Sequence, residues 1–197
     1  MDMRAPTPLP ILDAIAERWS PYAYDPRPVS DADLRALFEA ARWAPSSYNE
    51  QPWRFVAVAR DDAADFDRAL ECLVEANRAW ARDAGALCFA VAARAYERND
   101  EPNTKALYDL GQSVALLSVE AASRNLAVHQ MGGFDPEAAR TTFGVPEGYD
   151  VITSFVVGPA AAPNEGGAAA RRRRDVNETV FGAAWGAPAG FLDDNPD

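Results

Sequence analysis

The stretch Ala44-Pro45-Ser46-Ser47-Tyr48-Asn49-Glu50-Gln51-Pro52-Trp53-Arg54-Phe55 joins a helical segment to a strand. Upstream of it Ser30 can act as N-cap, with Asp33 at the third position where a carboxylate can reach back. Leu34, Leu37, Phe38 and Ala41 then recur on one apolar face until Pro45 stops the helix. Downstream, RFVAVAR from Arg54 to Arg60 is a short β-type run rich in Phe and Val. Between helix and strand stand two hydroxyls, Ser46 and Ser47, and two carboxamides, Asn49 and Gln51, all able to donate and accept hydrogen bonds. Two readings are open: caps and turns of an ordinary connection, or a binding loop offered to a heterocycle whose edge alternates donors and acceptors.

Working outward, Leu12, Ile15 and Trp19 at helical spacing behind Pro8 and Pro10 predict a first helix over about residues 9–19. Beyond the strand, Phe66, Leu70, Leu73, Val74, Asn77 and Trp80 share one face of a long helical pattern. ALCFAVAA, Ala86 to Ala93, reads as a strand buried on both sides. Leu107, Leu110, Val114, Leu117 and Ala121 mark another long helix, expected to be central because it has so few polar residues. Leu126 to Met131 is a brief strand ending in Gly132-Gly133, and Asp135-Pro136 opens a short helix. Val151 to Gly158 is the last strand, Pro159 to Ala170 a small-residue loop, and four arginines follow at Arg171 to Arg174. No repeat or linker divides the chain, so a single α+β or α/β domain over residues 1–197 is expected, with about 187–197 as a tail.

Composition removes several functions. The chain carries a net charge of −11, which disfavours nucleic acid and anionic membrane as partners. One histidine, His129, and two cysteines, Cys72 and Cys88, lack any metal or redox spacing, so no metal site is expected. A hydrolase would rest on His129 alone, with no Gly-x-Ser-x-Gly elbow before it. There is no secretory-type start and no run long enough for a membrane span, and the two thiols suit a reducing compartment, so a cytoplasmic protein is expected. With so few catalytic side chains, an enzyme of this composition takes much of its chemistry from something it binds.

The Gly-rich phosphate signatures are absent, so a bound phosphate must be held by side chains. Lys105 is the only lysine, which leaves that work to arginine, whose planar fork pairs with phosphate oxygens. Arg18 precedes Trp19-Ser20 at the end of the first helix, and Arg171 to Arg174 concentrate four charges. The run is either a solvated basic loop or one half of an anion site shared with Arg18. Uracil-like or flavin ring edges are natural targets for the carboxamides of the 44–53 stretch.

These residues carry a resemblance. Arg18-Trp19-Ser20-Pro21, the Pro28-Val29-Ser30 helix start and Ala44-Pro45-Ser46-Ser47-x-Asn49-x-Gln51-Pro52-Trp53-Arg54-Phe55 are similar to the nitroreductase family of flavin enzymes. The likeness continues through Asn77, the helix around Asp109, Gly132-Gly133-Phe134-Asp135 and the arginines before Val176. The resemblance implies an α+β fold with a central, mostly antiparallel sheet flanked by helices, in an intertwined homodimer with FMN at the subunit interface. It implies that Arg18, Ser20, Arg171 and Arg173 contact the FMN phosphate and ribityl region, with Trp19 and Tyr22 alongside. Pro45, Ser46, Ser47 and Asn49 would approach the flavin from the partner subunit, with Gln51 nearby. Asn77 would face the pyrimidine edge, and Gln130, Met131, Gly132 and Gly133 would lie along the ring. Tyr22 stands where the family commonly has Arg or Lys, Gln130 and Gly132 where it often has Pro and Glu, and Asp175 where proline follows the arginines.

The function implied is an FMN-dependent oxidoreductase that passes hydride from NADH or NADPH to a small acceptor such as a nitroaromatic, quinone or enal. No catalytic side chain is required, because the cofactor performs the redox chemistry. The alternatives are a flavin-binding or storage protein with little turnover, and a specialised branch such as flavin fragmentation or dehalogenation. Strand alternation points His129 away from Gln130, which favours a structural histidine. Cys72, Cys88 and Trp80 read as core residues, and Trp185 as part of a C-terminal segment laid over the partner subunit.

Overall fold

The computed structural model describes residues 3–161 and 171–192; the expected loop over Pro159 to Ala170 therefore lies mostly, and the end of the expected tail partly, outside the described residues. In chain order the elements are α1 (Asp13–Glu17), α2 (Asp31–Arg42), β1 (Trp53–Ala59), α3 (Ala63–Glu71), α4 (Glu75–Ala81), β2 (Ala86–Ala93), α5 (Ala106–Ser123), β3 (Ala127–Met131), α6 (Pro136–Phe143) and β4 (Tyr149–Gly158). A short 3₁₀ turn, Ser47–Asn49, sits between α2 and β1. The four strands form one sheet in the order β1-β2-β4-β3, every pair antiparallel. No helix among the described residues is long and apolar enough to cross a membrane.

Strand β2 explains why the sheet is central. All eight of its residues are buried, and alternation divides them between two cores. Leu87, Phe89 and Val91 pack with Phe66, Leu70, Leu73, Ala81 and Ala139, so α3, α4 and α6 cover that face. Ala86, Cys88, Ala90 and Ala92 pack with Leu37, Ala41, Leu110, Val114, Leu117 and Ala121, so α2 and α5 cover the other. The second face of β2 is almost all alanine, which lets α5 lie close against the sheet. A bulge between Ala90 and Val91 lets β4 gain one residue at Ile152.

Local chemistry sets the helix starts as the sequence indicates. The Ser30 Oγ accepts from Asp33 N–H at 3.1 Å and donates to the Asp33 carboxylate at 2.7 Å. Asp135 accepts from the backbone N–H of Glu137 and Ala138, with Pro136 in the first turn.

Two expectations change. The first helix covers only Asp13–Glu17, and although Ala16 is buried, Leu12 and Ile15 are left uncovered by the described residues. The long helix expected through Phe66 and Trp80 is two helices, because Leu73 bridges to Phe134 while Gly133 O and Asp135 N bond Val74 N–H and Cys72 O. Those bonds to a distant segment replace the helical ones. The Arg78 guanidinium then donates to the carbonyls of Leu70, Glu71 and Leu73 left at the break.

Candidate functional site

The polar stretch after α2 is held in an unusual backbone. Tyr48, Asn49 and Gln51 all have left-handed φ, at 55°, 57° and 52°. Non-glycine residues pay for that conformation, of order 1 kcal/mol or more each, and keep it only where surrounding bonds enforce it. Here the bonds are visible. Ser46 Oγ accepts from Gln51 N–H at 3.0 Å, the Gln51 amide donates to Asn49 O at 3.1 Å, and Ser47 N–H donates to Asp109 Oδ2 at 3.0 Å. Gln112 reaches Pro45 O at 3.5 Å, and Ser113 Oγ donates to Ala41 O at 2.9 Å. The first half of α5 thus fixes the loop, while Pro45, Tyr48, Asn49 and Gln51 remain exposed and Ser46 and Ser47 partly so.

Asp109 is the functional residue whose task the sequence left open. It is buried to 2% exposure on the face of α5 that carries Ala106, Leu110 and Ser113. A carboxylate on a buried, mostly apolar helix face is the signal that marks it, since such a group needs donors of its own.

The arginines gather elsewhere. Arg18 Nη1 donates to Ser20 Oγ at 3.2 Å, and Arg18 and Trp19 line a cleft of about 370 Å³ with Ala122, Asn125, Leu126 and Ala127 at the far end of α5. Burial, then the charges of Arg171 and Arg173, push the Arg18 pKa below the usual guanidinium value. Arg171 is lowered in the same sense by burial and by Arg173. One Arg171 nitrogen donates to Met3 O and Ala16 O, at 2.8 and 2.6 Å, which docks the arginine segment on the first helix. The structure therefore brings Arg18, Arg171 and Arg173 together, and among the described residues none of the three pairs with a carboxylate. Arg172 and Arg174 are exposed.

Beside this cluster, exposed Tyr22 leans on His129 and Trp80 with edge contacts at 4.6 and 5.2 Å. His129 Nδ1 donates to Pro21 O at 2.8 Å, which fixes the neutral ring with its proton on Nδ1. Burial first, with the Arg18 charge assisting, lowers its pKa below the ordinary histidine value, against the opposing bond to Pro21. Gln130 is exposed on the opposite face of β3, as alternation requires. Met131 turns its side chain into the core, and its carbonyl accepts from Thr153 and Ser154. Asn77 Nδ2 donates to Gly133 O at 3.0 Å, and a Cβ on Gly133 would fall 2.5 Å from that nitrogen. Gly133 is thus a position of close approach, whereas Gly132 has open space around it.

Cys88 is fully buried and its thiol is pushed up to about 12 by that burial; Cys72 is raised for the same reason. Neither is a reactive thiol. No group of three or more potential metal ligands occurs among the described residues.

Two groups of polar residues thus lie at opposite ends of one helix. From Asp109 to Ala122 is about 20 Å along the α5 axis at 1.5 Å per residue. Comparison with known proteins gives this arrangement its relatives. The chain is similar to an uncharacterized 15.4 kDa protein in the ask 5′ region of Mycolicibacterium smegmatis, 34% identical over 136 residues, 64% of this chain and 90% of that one. A shorter stretch of 55 residues is 42% identical to the major NAD(P)H-flavin oxidoreductase of Aliivibrio fischeri, covering 27% of this chain and 25% of that protein. A crystal structure described as an oxidoreductase containing FMN superposes with a TM-score of 0.84 at 26% identity, over 92% of this chain and 96% of that one. The nitroreductase family model matches residues 15–159, from within α1 to just past β4, so it spans the whole sheet, the polar loop and Arg18. On that match the chain belongs to the nitroreductase family.

Proposed function

We propose that the protein is an FMN-dependent oxidoreductase that passes hydride from NADH or NADPH to a small acceptor such as a nitroaromatic, quinone or enal. The observation that carries this reading is the gathering of Arg18, Arg171 and Arg173 without a carboxylate partner among the described residues. Three guanidinium groups that repel one another are held together at a cost, and a phosphate dianion is the ligand that reverses it. The donor set therefore fits FMN. The relatives that name FMN and NAD(P)H-flavin chemistry support the same reading.

Bound FMN supplies the redox chemistry, which is why no catalytic side chain is assigned. The chain supplies position. Arg18, Ser20, Arg171 and Arg173 bind the phosphate and ribityl hydroxyls, with Trp19 and Tyr22 flanking. The Asn77 carboxamide, tied by one N–H to Gly133 O, has its remaining donor and its oxygen for the pyrimidine edge. Gln130, Met131, Gly132 and Gly133 form the strip along the ring.

Pro45, Ser46, Ser47, Asn49 and Gln51 complete the site from a second subunit. One chain keeps them about 20 Å along α5 from the arginines, whereas a second α5 running antiparallel beside the first would bring them together. Exposed Leu12, Ile15, Leu107, Tyr108 and Leu116 supply the apolar face for that homodimer, and Trp185, 93% exposed, belongs to a segment that covers the partner. Residues 1–197 act as one domain, and the protein works in the cytoplasm.

The test is spectroscopic. Protein purified with added FMN should show a flavin absorption spectrum and oxidise NADH or NADPH with a quinone or nitroaromatic. Colourless protein that takes up no FMN refutes the reading, and FMN uptake with no NAD(P)H oxidation leaves a flavin-binding protein in its place.

A further inference from the structure

Between β2 and α5 the chain makes a tight loop. Asn103 N–H bonds to Arg94 O at 2.7 Å, Tyr96 N–H to Glu101 O at 2.9 Å, and Asp100 N–H to Tyr96 O at 2.8 Å. This loop is fastened to the polar loop after α2. Glu97 N–H donates to Glu50 Oε1 at 2.6 Å, Arg54 Nη2 to Glu97 Oε1 at 3.1 Å, and the Ser47 and Tyr96 hydroxyls lie 3.4 Å apart. The two loops therefore form one frame.

Arg98 stands on that frame between two aromatic rings. Its guanidinium carbon is 4.4 Å from the Tyr48 ring centre and 5.1 Å from that of Tyr96, the rings themselves meeting edge to face at 86°. Both contacts are within cation–π range, and they orient the fork without using its N–H groups. Arg98 makes no hydrogen bond or ion pair with another described residue, although Glu97, Asp100 and Glu101 are its neighbours in sequence; Glu97 is taken by Arg54. Tyr48 is 77% exposed and holds its place through the strained backbone between Ser47 and Asn49. The frame thus presents an oriented, uncommitted guanidinium one side chain away from the residues assigned to the flavin.

We propose that Arg98, cupped by Tyr48 and Tyr96, is a specificity-determining residue that receives an anionic group carried by the reactant docking over the flavin. This rests on the oxidoreductase reading above. A planar fork pairs with a carboxylate or a phosphate through two parallel bonds, and the ring faces suit an anion borne on an aromatic or heterocyclic body. Two reactants can bring such a group: an acceptor with a ring carboxylate, or NADPH with its 2′-phosphate.

The experiment uses FMN-loaded protein and reads dissociation constants from flavin absorbance, for 4-nitrobenzoate against 4-nitrobenzamide and for NADPH against NADH. In Arg98→Gln the preference for the anionic member of one pair should fall about tenfold, the loss expected when a charge-assisted bond is removed. A fall in the first pair identifies the acceptor as the source of the anion, and a fall in the second identifies the nicotinamide donor. Arg98→Lys keeps the charge without the fork and should recover only part of the preference. A residue that merely props Tyr48 would weaken both members of each pair alike, so ratios within twofold of the parent in both pairs overturn the proposal. Failure of the parent protein to take up FMN overturns the oxidoreductase reading and this one with it.

Discussion

His129 is the only histidine, and its surroundings keep it neutral: half-buried, bonded through Nδ1 to Pro21 O and near the Arg18 charge. Its folded pKa lies below the ordinary value near 6.5. Between those two values the unfolded chain binds the extra proton, so the folded state loses stability as the pH falls from about 6.5 toward the folded pKa. His129→Gln should therefore flatten the dependence of Tm on pH between about pH 7 and about pH 5, measured by thermal denaturation of both proteins; an unchanged slope would place the pH sensitivity elsewhere. Gly133 makes a second prediction. A methyl group there displaces the Asn77 amide and Val74 Cγ2, 2.5 and 2.9 Å from the position of a Cβ. Because both neighbours are side-chain ends that can move, Gly133→Ala should cost about 1–3 kcal/mol in urea denaturation and weaken FMN binding through the displaced carboxamide.

At the level of elements, the polar loop depends on α5. Asp109→Ala removes the buried acceptor of Ser47 N–H, a charge-assisted bond whose loss costs about 2 kcal/mol. With it goes the main restraint on three residues of left-handed backbone. Asp109→Asn keeps an acceptor oxygen and should lose less of the stability, the order being read from urea midpoints. Elements whose rules are local were legible in the sequence: the Ser30 cap, the Asp135-Pro136 start, and β2 with its eight apolar residues. The break between α3 and α4 was not, because bonds to Gly133, Phe134 and Asp135, some 60 residues away, decide it. The backbone of Tyr48, Asn49 and Gln51 was hidden too, since no glycine announces a positive φ there.

For the whole molecule, the short first helix has the same message as the divided site. Leu12, 70% exposed, and Leu107, 60% exposed, are apolar positions that periodicity identified and the described residues leave uncovered. Light scattering should find twice the 21.3 kDa chain mass, and the pair Leu12→Glu with Ile15→Glu should shift the protein to the monomer mass at micromolar concentration. On the proposed shared site the monomer should also lose FMN; a monomer that keeps full FMN affinity would contradict that site. The sequence located both polar groups by residue type but not the distance between them, which only the path of α5 supplies.

Helix α5 is consequently a ruler. Inserting or deleting one residue between Asp109 and Ala122 would rotate one end against the other by about 100° and move it about 1.5 Å. Side chains along it can vary as long as the apolar face survives, but its residue count cannot. Length changes in the β2–α5 loop are constrained as well, since Tyr96 and Glu97 brace the polar loop at Ser47 and Glu50.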